Sequence, residues 1–221
     1  MTEKPLSIVV LISGSGSNLQ AIIDALYKQP VNAQIKAVIS NKAEALGLER
    51  ARKAGIDCAV IDHTEFADRL SFDQAMMLEI DRHEPELVIL AGFMRILSNE
   101  FVDHYYGRMI NIHPSLLPDF KGLNTHQRAL DAGRTKHGVS VHFVSNELDG
   151  GPVIAQAEVA INTNDDAESL RLKVQQQEHI IYPKVTQWFA ERRLKLDNQS
   201  VYFDHEKLLK PLLLNPRPSS K

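Results

Sequence analysis

The sequence predicts an α/β protein with a single domain, built on an open, mostly parallel β-sheet with helices on both faces. Three observations favour this fold class. Short apolar runs alternate with stretches of helical periodicity, which is the pattern of consecutive βαβ units. The first apolar run ends in a glycine-rich loop that opens a helix. The chain has 221 residues, enough for one sizeable core and short for two full domains.

The first half of the chain contains the parallel part of the predicted sheet. Its apolar runs are short and bounded by turn residues, as buried strands are, and the stretches between them have helical period. The predicted strands are 6–12, 33–40, 58–61, 87–90 and 109–112, and the predicted helices are 18–28, 45–54, 65–83 and 98–105. In the helix 65–83, we expect Phe66, Leu70, Met77 and Ile80 to share one side.

The alternation changes after residue 113. A helix is predicted over 125–132, strands over 137–144 and 153–159, and a long helix over 168–189 that Pro183 should kink or interrupt. Residues 194–203 are expected to form a hairpin. We therefore predict one domain over residues 1–203. The remainder, 204–221, has prolines and serines near its end and is expected to be disordered.

Composition and charge restrict the classes of partner. The chain has 25 Lys plus Arg against 28 Asp plus Glu, so no basic field is expected that would attract a nucleic acid. Cys58 is the only cysteine, which excludes an internal disulfide and a multi-cysteine zinc site. The first apolar run is too short for a signal core or a membrane span. We expect a cytoplasmic protein without metal, nucleic-acid or membrane partners.

The glycine-rich loop Ser13-Gly14-Ser15-Gly16-Ser17-Asn18 lies between a predicted strand and a predicted helix. Glycine permits close backbone approach, and the start of a helix offers unpaired N–H groups, so the loop is suited to an anion such as phosphate. A dinucleotide fingerprint is disfavoured because Leu19 occupies the place of its third glycine. A plain turn between strand and helix is the alternative.

The segment around the fifth predicted strand carries the candidate chemistry. Asn111 and His113 are two residues apart on a strand and therefore project to the same side, and Pro114 ends the strand behind them. An amide and an imidazole that face one bound carbonyl can stabilise an oxyanion and transfer a proton. In isolation, both residues are equally compatible with structural roles. The other histidines are mostly interpreted as surface or satisfied core residues.

Two acidic residues are further candidates. Asp149 precedes two glycines, so it is a turn residue first, but close to His113 its charge would favour the protonated imidazole, or it would order a water that carries protons. Glu178 falls within the apolar stripe of the long helix. A carboxylate there needs a cationic partner, which is either a substrate amine or a neighbouring Lys or Arg.

Five segments have distinctive sequences in a fixed order: V-V-L-I-S-G-S-G-S-N-L-Q, L-A-G-F-M-R-I-L, N-I-H-P-S-L-L-P, V-H-F-V-x-x-E-L-D-G-G-P-V-I and Q-Q-E-H-x-I-Y-P. Together they resemble the folate-dependent glycinamide ribonucleotide formyltransferases of purine synthesis, closest to the short bacterial form. The resemblance runs from Ser7 to about Leu194. It implies a Rossmann-like formyltransferase fold for the domain 1–203, as a monomer or a homodimer.

The resemblance also implies roles for individual residues, with 10-formyltetrahydrofolate as co-substrate and without a metal. The implied catalytic residues are Asn111, His113 and Asp149. The implied ribonucleotide-binding residues are Gly16, Ser17, Asn18, Gln175, Gln176, Gln177 and Glu178, with Glu178 at the amine. The implied folate-binding residues are Arg69, Met94, Arg95, Ile96, Leu97, Asn111, Ser145, Asn146, Glu147, Leu148 and Asp149.

Several alternative functions share part of this pattern. Methionyl-tRNA formyltransferase resembles the chain around N-x-H-P-S-L-L-P but has an added C-terminal domain for tRNA. Formyltetrahydrofolate deformylase usually has an N-terminal regulatory domain, for which residues 1–5 leave no space. An amino-sugar nucleotide formyltransferase and a non-catalytic phosphate-binding module are the remaining alternatives. The last would not require Asn111, His113 and Asp149 to be close together.

Overall fold

The computed structural model describes residues 4–28 and 31–214. Its strands are β1 (Leu6–Ile12), β2 (Ala33–Ser40), β3 (Asp57–Val60), β4 (Leu87–Leu90), β5 (Met109–His113), β6 (Lys136–Phe143), β7 (Val153–Ala160), β8 (Leu194–Asp197), β9 (Ser200–Phe203), β10 (Glu206–Lys207) and β11 (Leu212–Leu213). Eight of them form one sheet in the order β11-β7-β6-β5-β4-β1-β2-β3. The strands β1 to β5 pair in parallel, whereas β6 is antiparallel to both β5 and β7. The predicted open, mostly parallel sheet is confirmed.

Helices cover both faces of this sheet, as predicted. They are α1 (Ser17–Lys28), α2 (Leu46–Lys53), α3 (Arg69–Asp81), α4 (Asn99–His104), α5 (Thr125–Asp131) and α6 (Ala167–Ala190). One apolar cluster joins the sheet to α1, α2 and α6, through residues such as Leu19, Leu48 and Val174. A second cluster joins the opposite face to α3 and α4, through Phe72 and Phe101. The strands are apolar on both faces because each face is buried under helices.

The third predicted helix begins later than expected. Residues His63–Glu65 form a short 3₁₀ turn, and α3 starts only at Arg69 because the Asp68 carboxylate accepts a hydrogen bond from the Ser71 N–H at 2.8 Å. This start fixes which side of the helix is buried. Phe72, Met76 and Ile80 face the core, whereas Leu70, which was expected there, is 46% exposed.

Two features near the C-terminus differ from the prediction. Of the kink or interruption expected at Pro183, the interruption does not occur, because helix α6 runs from Ala167 to Ala190 with the buried Pro183 inside it. The expected disordered tail is instead ordered as far as residue 214. β10 joins the predicted hairpin of β8 and β9, and β11 pairs with β7 through Leu212 and Leu213. Residues 215–221 lie outside the described part of the chain.

Candidate active site

Asn111 and His113 lie on the last parallel strand of the sheet, β5. Neighbouring β4 pairs with β5 in parallel, and β6 pairs with it in antiparallel register, with His142 opposite Asn111 and Ser140 opposite His113. The two-residue spacing gives both side chains the same face. His113 is buried and Asn111 is half-buried. The strand therefore presents an amide and an imidazole side by side.

The loop between β6 and β7 brings Asp149 to His113. The carboxylate Oδ2 lies 3.3 Å from Nδ1 of His113, and both side chains are less than a tenth exposed. The same Oδ2 accepts a hydrogen bond from the Gly122 N–H at 2.9 Å. Asn111, His113 and Asp149, expected from the sequence to act together, are therefore close together in the structure.

Gly151 allows the loop between β6 and β7 to lie directly against the end of β6. A Cβ atom on Gly151 would lie 1.8 Å from the carbonyl oxygen of Phe143, at the end of β6. No other residue fits there without moving the backbone. Asp149 itself has a φ of 46°, a left-handed conformation that aspartate tolerates better than most residues. The sequence Asp149-Gly150-Gly151 thus both forms the turn and positions the carboxylate of Asp149.

Both ring nitrogens of His113 face hydrogen-bond acceptors. Nδ1 faces the Asp149 carboxylate at 3.3 Å, and Nε2 lies 3.0 Å from the carbonyl oxygen of Phe120. Neither partner can donate, and only the imidazolium form carries a proton on both nitrogens. The arrangement suits a histidine that holds a proton ready for transfer.

His142 is a site residue that the sequence reasoning missed. Its Nδ1 donates to the Phe143 carbonyl at 2.8 Å, and burial lowers the pKa of the ring to about 4, so the ring is neutral at neutral pH. Its Nε2 is then free to accept from the Asn111 amide, 3.4 Å away. This contact turns the amide N–H₂ of Asn111 toward the ring. In the sequence, His142 lies in a predicted strand and in the motif V-H-F-V, but neither shows which residue of the neighbouring strand lies opposite it.

The glycine loop leads from β1 directly into α1. Gly16 has a φ of 67°, which glycine adopts at no steric cost, and Ser17 and Asn18 form the first turn of the helix. The first N–H groups of a helix have no acceptor within the helix, so the loop offers donors to an anion. The Asn18 side chain has another role, because its Nδ2 donates to Oε2 of Glu178 at 2.8 Å.

Helix α6 contributes the other candidate residues of this region. Gln175 Nε2 donates to the Ser17 hydroxyl at 3.3 Å, whereas Gln176 is exposed and Gln177 is half-buried. One turn beyond Glu178, the Tyr182 hydroxyl donates to the carbonyls of Leu90 and Ile110, at 2.9 and 3.2 Å. That hydroxyl fixes α6 against the last residue of β4 and the second residue of β5. Helix α6 thus packs over the face of the sheet that holds Ile110 and Ile112, whereas the side chain of Asn111 alternates with them and points to the opposite face.

The protonation of Glu178 is sensitive to its surroundings. Burial raises the pKa of its carboxyl above the ordinary value, and the hydrogen bond from Asn18 and the charge of Arg171 oppose this rise. A cation that reached the carboxylate would favour its charged form. The buried position thus suits an acid that is neutralised by a bound amine.

The described part of the chain matches known proteins along most of its length. The sequence model described as formyl transferase matches residues 6–186. The chain belongs to the formyl transferase family. Among its relatives, the phosphoribosylglycinamide formyltransferase of Escherichia coli (strain K12) is 53% identical over 203 residues, covering 92% of this chain and 96% of the relative. The Haemophilus influenzae enzyme of the same name is 46% identical over 203 residues, with the same coverage.

Solved structures agree with the fold of this formyl transferase. The phosphoribosylglycinamide formyltransferase from Coxiella burnetii, determined in complex with CHES, superposes with a TM-score of 0.91 at 53% identity. The superposition covers 95% of this chain and 99% of the other. The arrangement of strands and helices described above is therefore the arrangement found in that enzyme.

The expected folate-binding residues of the formyl transferase lie on three segments. Arg69 is exposed at the start of α3. After β4, Met94 and Ile96 are 70% and 65% exposed, the Arg95 guanidinium lies 5.8 Å from the Phe72 ring centre, and Leu97 is half-buried. The third segment leads up to Asp149 and consists of Ser145, Asn146, Glu147 and Leu148, the last 58% exposed.

Hydrogen bonds hold two of these segments in place. The Met94 N–H donates to the Ser13 hydroxyl at 2.8 Å, and that hydroxyl donates to Oδ1 of buried Asn41 at 2.6 Å. Asn146 donates to Asp103 at 2.9 Å, and Glu147 pairs with Lys121 at 2.6 Å. Hydrogen bonds thus fix the backbone of these segments, and their exposed apolar side chains are suited to pack against the flat ring of a bound co-substrate.

The described residues of this formyl transferase also show how its acidic side chains and its longest helices are arranged. Within residues 4–28 and 31–214, no group of three or more His, Cys, Asp or Glu side chains is arranged to hold a metal ion. Across the same residues, no helix combines the length and apolar character needed to cross a bilayer.

Proposed function

We propose that this chain transfers the formyl group of 10-formyltetrahydrofolate to the amine of glycinamide ribonucleotide, a step of de novo purine synthesis. The observation that carries the proposal is the cluster of Asn111, His113 and Asp149 around β5. The relatives that are 53% and 46% identical are both phosphoribosylglycinamide formyltransferases, which agrees with this reaction. A phosphate-binding module would not require the cluster.

The reaction proceeds by direct attack. The neutral glycinamide amine adds to the formyl carbon, and the Asn111 amide and the His113 imidazolium donate to the oxygen of the tetrahedral intermediate. The formyl oxygen takes the place of the Phe120 carbonyl as acceptor for Nε2 of His113. The bond between the formyl carbon and N10 of the folate then breaks, while one proton leaves the amine and one reaches N10. Asp149 stabilises the charged imidazole throughout.

The ribonucleotide lies between the glycine loop and α6. The backbone N–H groups of Gly16, Ser17 and Asn18 bind its phosphate, Gln175 to Gln177 border the sugar, and Glu178 meets the amine. The hydrogen bond from the Asn18 side chain supports the assignment of Glu178. It fixes Oε2 of the carboxylate and leaves Oε1 to accept a hydrogen bond from the substrate amine. Phosphate and amine are thereby fixed at two ends of one substrate.

The co-substrate lies beside Asn111, between the segment of Met94 to Leu97 and that of Ser145 to Asp149, with Arg69 at its outer end. The formyltransferase domain, predicted over residues 1–203, also includes β10 and β11, because β11 pairs with β7 in the main sheet. We further propose a cytoplasmic monomer or homodimer that acts on small molecules, without a metal and without nucleic-acid or membrane partners. The near balance of charge agrees with the absence of a nucleic-acid partner.

The test is formyl transfer in vitro with purified protein, 10-formyltetrahydrofolate and glycinamide ribonucleotide, and a control without the amine. Amine-dependent release of tetrahydrofolate, with formylated ribonucleotide as product, is the expected result. Release without the amine would identify a deformylase instead. If neither tube reacts, methionyl-tRNA and amino-sugar nucleotides are the next substrates to try.

A further inference from the structure

Three successive carbonyl groups of the glycine loop, those of Gly14, Ser15 and Gly16, are engaged by donors outside the proposed phosphate site. The Gly14 carbonyl accepts from the Gly47 N–H at 3.0 Å, the Ser15 carbonyl from Nε of Arg50 at 2.8 Å, and the Gly16 carbonyl from the Gln20 N–H at 2.9 Å. The first two donors belong to α2. A carbonyl that pointed at a phosphate would repel it, so these bonds favour the conformation in which the N–H groups point there instead.

Helix α2 reaches the loop only because two glycines meet. A Cβ atom on Gly16 would lie 2.5 Å from Cα of Gly47, and a Cβ atom on Gly47 would lie 3.1 Å from Cα of Gly16. At this separation the backbones of the loop and of α2 are in direct contact. The loop is therefore supported from behind by a helix that is not part of the proposed substrate site.

Arg50 also places a positive charge beside the start of α1. Its side chain is half-buried, and Nη1 lies 3.5 Å from Oε1 of Gln20. Arg50 borders a groove of about 580 Å³ together with Ser17, Gln20 and His179. The pKa of His179 is lowered, mainly by burial and further by the charge of Arg50.

We propose that Arg50 is a positioning residue for phosphate recognition: it holds the Ser15 carbonyl away from the site and adds charge that favours a phosphomonoester over its unphosphorylated analogue. This inference rests on the proposed function for the identity of the substrate. It predicts that Arg50 acts on substrate binding and not on the formyl transfer step, because no contact joins it to Asn111, His113 or Asp149 among the described residues.

The test compares Arg50→Met with Arg52→Met, which removes the same charge from an exposed position on the same helix. For Arg50→Met, the KM for glycinamide ribonucleotide should rise about 10- to 100-fold, the effect of losing a hydrogen bond from a charged group, while kcat changes by less than about twofold. The KM for the analogue without its phosphate should not change. Arg52→Met should behave like the unaltered protein.

A binding measurement separates this inference from the proposed function. Calorimetry with ribose 5-phosphate, and with ribose as control, does not depend on any formyl transfer. The dissociation constant of ribose 5-phosphate should rise for Arg50→Met by the same factor as the KM. An unchanged constant, or an equal loss with the unphosphorylated analogue, would overturn the inference. A protein that binds ribose 5-phosphate through Arg50 but does not formylate the ribonucleotide would refute only the proposed function.

Two more variants guard against simple misfolding. Arg50→Lys keeps the charge but loses the Nε donor, so it should give an intermediate rise in KM. Gly47→Ala leaves Arg50 in the sequence but pushes α2 from the loop, and it should also raise KM with little change in kcat. If both variants fold, as shown by unaltered thermal unfolding, and both bind ribose 5-phosphate normally, the loop does not depend on α2 and the inference is wrong.

Discussion

Replacing Asp149 with asparagine removes the charge of the carboxylate while leaving its shape almost unchanged. Oδ2 of Asp149 lies 3.3 Å from Nδ1 of His113, and both side chains are less than a tenth exposed. With an effective dielectric constant of about 20, the attraction between two unit charges at that separation is about 5 kcal/mol. If the transition state needs a charged His113, Asp149→Asn should lower kcat by about 10³- to 10⁴-fold.

The assay is steady-state formyl transfer combined with calorimetry of ribose 5-phosphate. Binding of ribose 5-phosphate should be unaltered, because Asp149 makes its contacts with His113, His142 and Gly122 and not with the glycine loop. Asp131→Asn, an exposed position at the end of α5, is the matched control and should have normal turnover. Turnover of Asp149→Asn within a factor of about ten of the unaltered protein would refute the electrostatic argument.

Three other variants test separate parts of the site. Asn111→Ala removes one donor to the oxyanion and should cost about 2.7–4 kcal/mol of transition-state stabilisation, measured as a fall of kcat at unchanged affinity for ribose 5-phosphate. Glu178→Gln should raise the KM for the amine substrate yet raise the melting temperature at neutral pH. The pKa of Glu178 is raised in the fold, so its contribution to stability is present at acid pH and is lost as the pH rises through that pKa. Ser13→Ala removes the hydroxyl that bonds Oδ1 of Asn41 and the Met94 N–H. The buried Oδ1 loses its partner at a cost of about 1–3 kcal/mol, measured by urea unfolding, and the KM for the folate should rise because the Met94 backbone is no longer held.

Each of these variants has an outcome that contradicts its reasoning. An Asn111→Ala protein with normal kcat would mean that His113 alone holds the oxyanion. For Glu178→Gln, the quantity to compare is the difference in melting temperature between the variant and the unaltered protein. The same difference at pH 4 and at pH 7 would mean that burial does not penalise the carboxylate. Unaltered stability of Ser13→Ala would mean that water replaces the lost hydroxyl.

The features of the site that the sequence predicted depend on neighbouring residues, and those that it missed depend on contacts between residues far apart in the chain. Asn111 and His113 could be paired from the two-residue period of a strand, and the glycine loop from its place between a strand and a helix. His142 could not be found that way, because it meets Asn111 only through the antiparallel pairing of β5 with β6. The hydrogen bond between Asn18 and Glu178 joins residues 160 positions apart, and no local pattern encodes it.

The errors in the predicted fold have a similar cause. The start of α3 depends on the Asp68 side chain, which accepts from Ser71 and overrides the apolar period that begins at Phe66. The order of residues 204–214 depends on contacts with distant strands, since β11 pairs with β7. A segment without a regular pattern of its own acquires order when a sheet edge offers it backbone partners.

The short strand β11 also affects how accessible the edge of the large sheet is to another chain. Without β11, the strand β7 would be the outermost of the large sheet, and an outermost strand offers its unpaired N–H and C=O groups to any extended peptide. Leu212 and Leu213 occupy part of this row, and the Leu214 N–H donates to the Gln156 carbonyl at 2.8 Å. Residues 212–214 therefore cover part of an edge that another extended chain could otherwise pair with, a demand on these residues that is independent of catalysis.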